Sequence, residues 1–297
     1  MRLPACLLLA ILATPAVAQT APQLGPAFAP PGPAGPAAPE EQGAVIADLI
    51  AALQLDGVIA AMRSEGIDYG ESLEADLFPG RGGAGWRRAV DAIYGLDAMR
   101  TRLIPALERE LARMPPAMLA EARGFFRSDL GQRIVALENS ARLAQLDEDI
   151  KAESQRAAEA LAVDDPERFA LLRRFIAAND LVEANVVGAL NANAAFYFGL
   201  NAAGAFADPL SEAEVLSDVA AQEEGIRAET ADWIDAYLAL AYQPLSDADL
   251  RRYLAFSETP AGQALNRAMF GAYDAMFTAI SRELGSRAAR HIAGEDL

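Results

Sequence analysis

The chain is predicted to be all-α: a helical bundle made of two similar halves, each containing a helix-turn-helix, preceded by a disordered Pro-rich spacer. Three observations predict this. Apolar residues recur at helical steps after residue 44, and no segment alternates at period two long enough to argue a strand. The chain is 53% hydrophobic but only 7% aromatic, so its core comes mostly from Ala, Leu, Ile and Val, which favours closely packed helices. One phrase also occurs twice: Phe125-Phe126-Arg127-Ser128-Asp129-Leu130-Gly131-Gln132 is echoed at Phe256-Ser257-Glu258-Thr259-Pro260-Ala261-Gly262-Gln263.

The N-terminal stretch has the order of a secretion signal. Met1-Arg2 supplies a short positive start, Leu7 to Leu12 an apolar run, and Ala16-Val17-Ala18 a cleavage site after Ala18. The run is too short to span a bilayer as a permanent helix, so residues 1–18 are expected to be removed and the rest to be periplasmic. Cys6, the only cysteine, sits too early for lipidation and leaves with the signal. The mature chain then has no disulfide, thiolate metal site or redox pair. Residues 19–43 carry Pro22, Pro26, Pro30, Pro31, Pro33, Pro36 and Pro39 without apolar periodicity, and read as a disordered linker.

The first helical repeat is expected over 44–163. Val45, Ile46, Leu49, Ile50 and Leu53 make one apolar face; Asp56-Gly57 restarts the pattern with Val58, Ile59 and Met62, and Gly66 is the expected stop. A short helix follows over Tyr69–Leu77. Gly80, Gly82 and Gly85 match G-x-G-x-x-G, but Glu71–Leu77 is charged and helix-like where a nucleotide fingerprint needs a buried strand, so this is an interhelical loop. Ala84–Met114 reads as two helices broken at Gly95, with Pro105 bending the second and Pro115-Pro116 ending it. Leu119–Phe126 is a short helix before the first phrase, and the helix after it is expected to run on to Leu161.

The second repeat, 164–297, opens at Asp164-Asp165-Pro166, an acidic cap with Pro early in a helix. Phe169–Ala178 and Leu181–Leu190 are helical. Ser211 with Glu214 forms a capping box that is expected to launch one long helix toward Tyr242. Ser246 with Asp249 starts the short helix before the second phrase, and Leu265, Met269, Ala272, Met276 and Ile280 stripe the last helix.

Each phrase is a helix-turn-helix elbow. Thr259 is an N-cap with Pro260 at the first helical position; Ser128 caps the other copy, and Asp129 suits the positive helix end. Gly131 and Gly262 fall in a first turn, costing about 1 kcal/mol on propensity. Close approach of the preceding helix, beside Phe125 or Phe256, is the expected offset. Gln132 and Gln263 are then placed to bond an uncapped carbonyl across the corner.

These residues resemble the bacterial domain of unknown function 2059, which carries an F-x-x-S-P-x-G-Q-like elbow late in an all-helical, signal-bearing chain. The second copy keeps Pro260 and Gly262-Gln263, with Thr259 for Ser and Ser257 where an aromatic is common. The first keeps Phe125-Phe126, Ser128 and Gly131-Gln132, with Asp129 for Pro. The resemblance implies two tandem copies of a periplasmic helical unit, and it transfers no catalytic residues.

A net charge of −17, from 42 acidic against 25 basic residues, argues against nucleic acid and anionic membrane surfaces. His291, the only histidine, cannot anchor zinc at ordinary ligand spacing and is expected exposed in the last turn. No catalytic, cofactor or metal residue is assigned. Asp147, Glu148, Asp149 and Glu153, like Glu223 and Glu224, cluster as paired carboxylates do in glycosidases, but a solvated face accounts for them. Ala184–Ala207 holds no charge, yet its Asn and Gly make membrane insertion costly. It is expected to be buried between the halves, with Asn191, Asn193, Phe196, Tyr197, Phe198 and Asn201 as a candidate ligand groove. The expected function is a non-enzymatic binding or scaffold module of the cell envelope, its partner an envelope protein, lipid or peptide. The alternative is an envelope-polymer hydrolase using paired carboxylates.

Overall fold

A computed structural model describes residues 39–294; the signal expected over 1–18 and the linker up to residue 38 lie outside the described residues. Among the described residues every regular element is a helix. The first half holds α1 (Pro39–Ala52), α2 (Asp56–Leu77), α3 (Gly83–Ile93), α4 (Leu96–Leu111), α5 (Pro116–Arg127), α6 (Asp129–Ala144) and α7 (Glu148–Asp164). The second holds α8 (Pro166–Ala178), α9 (Leu181–Ala202), α10 (Glu212–Ala220), α11 (Glu223–Tyr242), α12 (Asp247–Ser257) and α13 (Pro260–Ala293). Residues 39–43, expected in the linker, belong to α1. Proline at the first helical position and Glu40 and Glu41 in the first turn favour that start.

The sequence caps operate where they are written. Asp165 accepts from the Arg168 amide at 3.1 Å with Pro166 behind it. Ser211 and Glu214 form both bonds of the capping box, and Ser246 accepts from the Asp249 amide at 3.2 Å. Helix α9 runs on to Ala202 rather than ending at Leu190, α5 starts at Pro116 rather than Leu119, and three further differences have a clear physical cause. Helix α2 runs through Gly66 because the ring of Tyr94 packs on it; a Cβ there would stand 2.1 Å from that ring. Helix α6 ends at Ala144 instead of running to Leu161, since the Asp147 carboxylate accepts from the Asp149 and Ile150 amides and starts a new helix. The chain from Ser211 to Tyr242 breaks at Gln222, whose side chain accepts from Asn193 of α9 at 3.0 Å.

The two elbows are bonded alike. Gly131 N–H donates to Ser128 Oγ and Gly262 N–H to Thr259 Oγ1, each at 3.1 Å. A Cβ on Gly131 would lie 2.2 Å from the Phe125 carbonyl oxygen, and one on Gly262 2.3 Å from that of Phe256. Gln132 donates to the Phe126 carbonyl at 2.5 Å and to Ala52 at 2.9 Å; Gln263 donates to Ser257 at 2.8 Å and to Ala178 at 2.9 Å. Each Gln thus ties its elbow to the last residue of α1 or α8. The Phe125 and Phe256 rings stack face to face, 4.0 Å apart and within 6° of parallel.

Helix α13, at 34 residues, is the spine of the bundle and packs on α9, α4, α5 and α3. Helix α9, which carries no charge from Ala184 onward, is buried chiefly against α13, α11, α10 and α8. It therefore lies mainly inside the second half rather than between the halves, because two glycines let α9 and α13 touch through their backbones. A Cβ on Gly199 would stand 2.2 Å from the Arg282 carbonyl oxygen, and one on Gly285 2.2 Å from that of Phe196. Among the described residues no single helix is long and apolar enough to cross a membrane. Only α1 and α2 taken together, bent by 59° at their break, would be, and their Leu49, Ala52, Ile59 and Leu73 are buried in the core.

Candidate functional site

Helices α6 and α11 meet where the two halves join, and each presents a pair of side chains one turn apart, a spacing that puts both on one face. On α6 these are Glu138 and Arg142; on α11, Trp233 and Tyr237. They form a continuous chain across the seam. Arg142 Nη2 donates to Glu65 Oε2 of α2 at 2.5 Å, and its guanidinium lies 4.9 Å from the Trp233 ring centre. Trp233 stacks on Tyr237 at 4.8 Å and 9°, and the Tyr237 hydroxyl donates to the Glu138 carbonyl at 3.0 Å. The Glu138 carboxylate accepts from Tyr242 at 2.7 Å and from Tyr253 of α12 at 3.3 Å.

Removal from water sets the electrostatics of this chain. Enclosure among tyrosine rings pushes the Glu138 carboxyl up to about 7, opposed by the two phenol bonds. Burial also raises Glu65, with the Arg142 guanidinium holding it back. Tyr237, Tyr242 and Tyr253 are driven well above the ordinary phenol value, first by burial and next by the Glu138 charge, so they stay neutral donors.

Beside this chain lies a cavity of about 280 Å³ between α2, α6, α7, α11 and α13. Glu65, Tyr69, Tyr94, Arg142, Gln145, Lys151, Trp233 and Phe277 are among its lining residues. Gln145, which caps the C-terminus of α6, is 7% exposed, and neither atom of its carboxamide has a hydrogen-bond partner. Arg142 is 4% exposed, and its Nε–H is likewise unpaired. Such groups are rare in folded proteins and each costs about 1–3 kcal/mol. A second groove of about 290 Å³, lined by Glu183, Val187, Asn191, Phe270 and Asp274, lies on the other side of Phe277, which borders both.

The six groove residues expected on α9 do not share one surface. Asn191 is exposed, donates to Asp274 at 2.9 Å and lines the second groove. Asn193 is committed to Gln222, while Phe196 and Tyr197 are buried in the core. Phe198 lies under the Arg282 guanidinium at 5.8 Å. Asn201 clamps Leu210 through two bonds of 2.8 and 3.0 Å. The carboxylates Asp147, Glu148, Asp149, Glu153, Glu223 and Glu224 are exposed on α7, its cap and α11. His291, expected in solvent, is 4% exposed: it stacks on Phe78 at 5.4 Å and meets the Trp86 edge at 5.6 Å, because the last turn of α13 folds onto the loop region after α2. Among the described residues no group of three or more His, Cys, Asp or Glu could hold a metal ion.

Sequence reasoning missed Glu138, Arg142, Gln145 and Trp233. The available signal was a charged pair one turn apart, with Glu138 falling at i+4 from Ile134 and i−3 from Ala141 on an otherwise apolar face. No family model matches the chain, and neither does any curated protein or solved structure.

Proposed function

We propose that the protein is a non-enzymatic binding module of the bacterial cell envelope, holding a small ligand in the seam cavity. One observation carries this reading: the Gln145 carboxamide is withdrawn from water and unpaired at both atoms in the wall of a cavity large enough for a small molecule. A ligand that pairs with it recovers the cost of leaving it unmade. The cavity takes residues from both halves, so a bound ligand would bridge α2 and α6 to α11 and α13. The envelope location rests on the signal read in residues 1–18. The matched elbows support reading the halves as a duplication related to domain of unknown function 2059.

Hydrolysis by paired carboxylates has less support. Glu138 is engaged by tyrosines, Glu65 by Arg142, and the clustered acids are exposed. The test is native mass spectrometry of the protein isolated from its own periplasm, beside a Ser281→Trp variant that fills the cavity from α13. The expected result is a retained small molecule that is absent from the variant while its helical circular dichroism is unchanged. Protein that carries nothing, or a mass equally present in the variant, would overturn the reading.

A further inference from the structure

We propose that the ligand of the seam cavity is a small uncharged molecule presenting an amide whose N–H and C=O lie on one edge, as in a lactam or an imide ring. This rests on the binding reading above and adds the ligand's chemistry.

Gln145 sets the class. Its planar carboxamide offers a donor and an acceptor side by side, and neither is used. The last torsion of a Gln side chain is soft, so the plane turns into the cavity at little cost. A lactam or imide closes both bonds at once. A trans peptide amide cannot, because its N–H and C=O point to opposite edges. A carboxylate or phosphate brings acceptors only and leaves the Gln145 oxygen unpaired.

The charges around the cavity point the same way. The one guanidinium in its wall already carries Glu65 on Nη2 and lies over Trp233. Lys151 pairs with Glu148 at 3.4 Å. With Glu65, Asp68 and Glu148 against Arg142 and Lys151, the lining is slightly acidic and holds no spare cation for an anion. Arg142 adds its buried, unpaired Nε–H, a donor suited to a second carbonyl. Two donors and one acceptor match an imide better than a simple lactam.

Size and shape narrow it further. The volume of about 280 Å³ is roughly twice the ~150 Å³ cavity that accommodates one benzene, so the ligand has about a dozen non-hydrogen atoms. Tyr69, Tyr94 and Phe277 supply aromatic walls that favour a flat ring.

The full-length protein is titrated by calorimetry with uracil (an imide), 2-piperidone (a lactam), N-methylacetamide (a trans amide) and benzoate (an anion). Uracil is expected to bind saturably, 2-piperidone more weakly, and the other two not at all. Gln145→Leu should weaken uracil tenfold or more with helical content intact. If that variant does not fold, Gln145→Glu, which keeps the size but loses the donor, should give the same loss. Absence of saturable binding by either cyclic amide, or binding unmoved by the Gln145 variants, overturns the inference. Benzoate or N-methylacetamide binding that Ser281→Trp abolishes also overturns the amide class, yet leaves the cavity standing as a site.

Discussion

At the scale of single residues, Gly262 and Glu138 make claims that stability measurements can check. Alanine at Gly262 gains about 1 kcal/mol of helix propensity. Its Cβ, however, would meet the Phe256 carbonyl oxygen at 2.3 Å and the Ser257 Cα at 2.9 Å, neither of which can move without opening the elbow. Gly262→Ala is therefore expected to lose about 2 kcal/mol or more in urea unfolding; a variant as stable as the parent would mean the two backbones are not held in contact. Glu138 makes a claim about pH. Folded, its carboxyl titrates at about 7; unfolded, it does so near 4.5. Between those values the native state holds the extra proton, so stability falls as pH rises through that window. The contribution is full below pH 4.5 and gone above about 7. The loss is on the order of 3 kcal/mol at most, with Tyr237, Tyr242, Tyr253, Tyr273 and Arg142 as the surrounding groups. Glu138→Gln keeps an acceptor for the phenols without the charge. Relative to wild type it should be more stable at pH 7.5 and lose that advantage by pH 4.5, a difference that parallel urea curves at several pH values would reveal.

At the scale of elements, the crossing of α9 and α13 depends on glycines meeting carbonyls. Gly199 faces the Arg282 carbonyl and Gly285 the Phe196 carbonyl, with Ser286 donating to the Gly199 carbonyl at 3.3 Å. Gly285→Ala should force the helices apart and lower the thermal midpoint by several degrees, equivalent to about 2 kcal/mol. An unchanged midpoint would show that the crossing has slack. Much of the element map was legible because caps are local: Ser211 with Glu214, Ser246, Thr259-Pro260 and Asp165-Pro166 each satisfy amides within four residues. What was not legible depended on partners distant in sequence. Gly66 reads as a stop until Tyr94 is found pressed on it, and Gln145 reads as the middle of a helix running to Leu161 until α6 is found to end there beside the cavity. The same holds for the ion pairs pinning α1 to α5 and α8 to α12. Asp48 pairs with Arg127 in the first, and Arg174 with Glu258 in the second, at matching places with the charges exchanged. A search for identical residues passes over that match, since the bonded geometry is kept while the letters are not.

At the scale of the molecule, α13 belongs to the second half by sequence and to both halves by packing. Its Glu283 accepts from Arg102 of α4 at 2.6 Å, Gly271 lies against the Glu110 side chain, and His291 stacks on Phe78. The elbow rings Phe125 and Phe256 close the same seam from the other end. Cutting the chain near residue 160 would leave the second half with that face of α13 bare, together with Tyr237, Tyr242 and Tyr253, whose hydroxyls would lose Glu138 as their acceptor. Exposed apolar area and unpaired buried phenols each count against an independently folded unit. Residues 160–297 produced alone are therefore expected to associate in sedimentation and to melt without a sharp transition. The full chain should unfold in one step, with near- and far-ultraviolet circular dichroism coincident. A monomeric fragment with its own cooperative melt would show instead that the seam joins two self-sufficient domains. The cavity would then lie at a contact the halves can open, and a ligand of the kind proposed would act by holding them together.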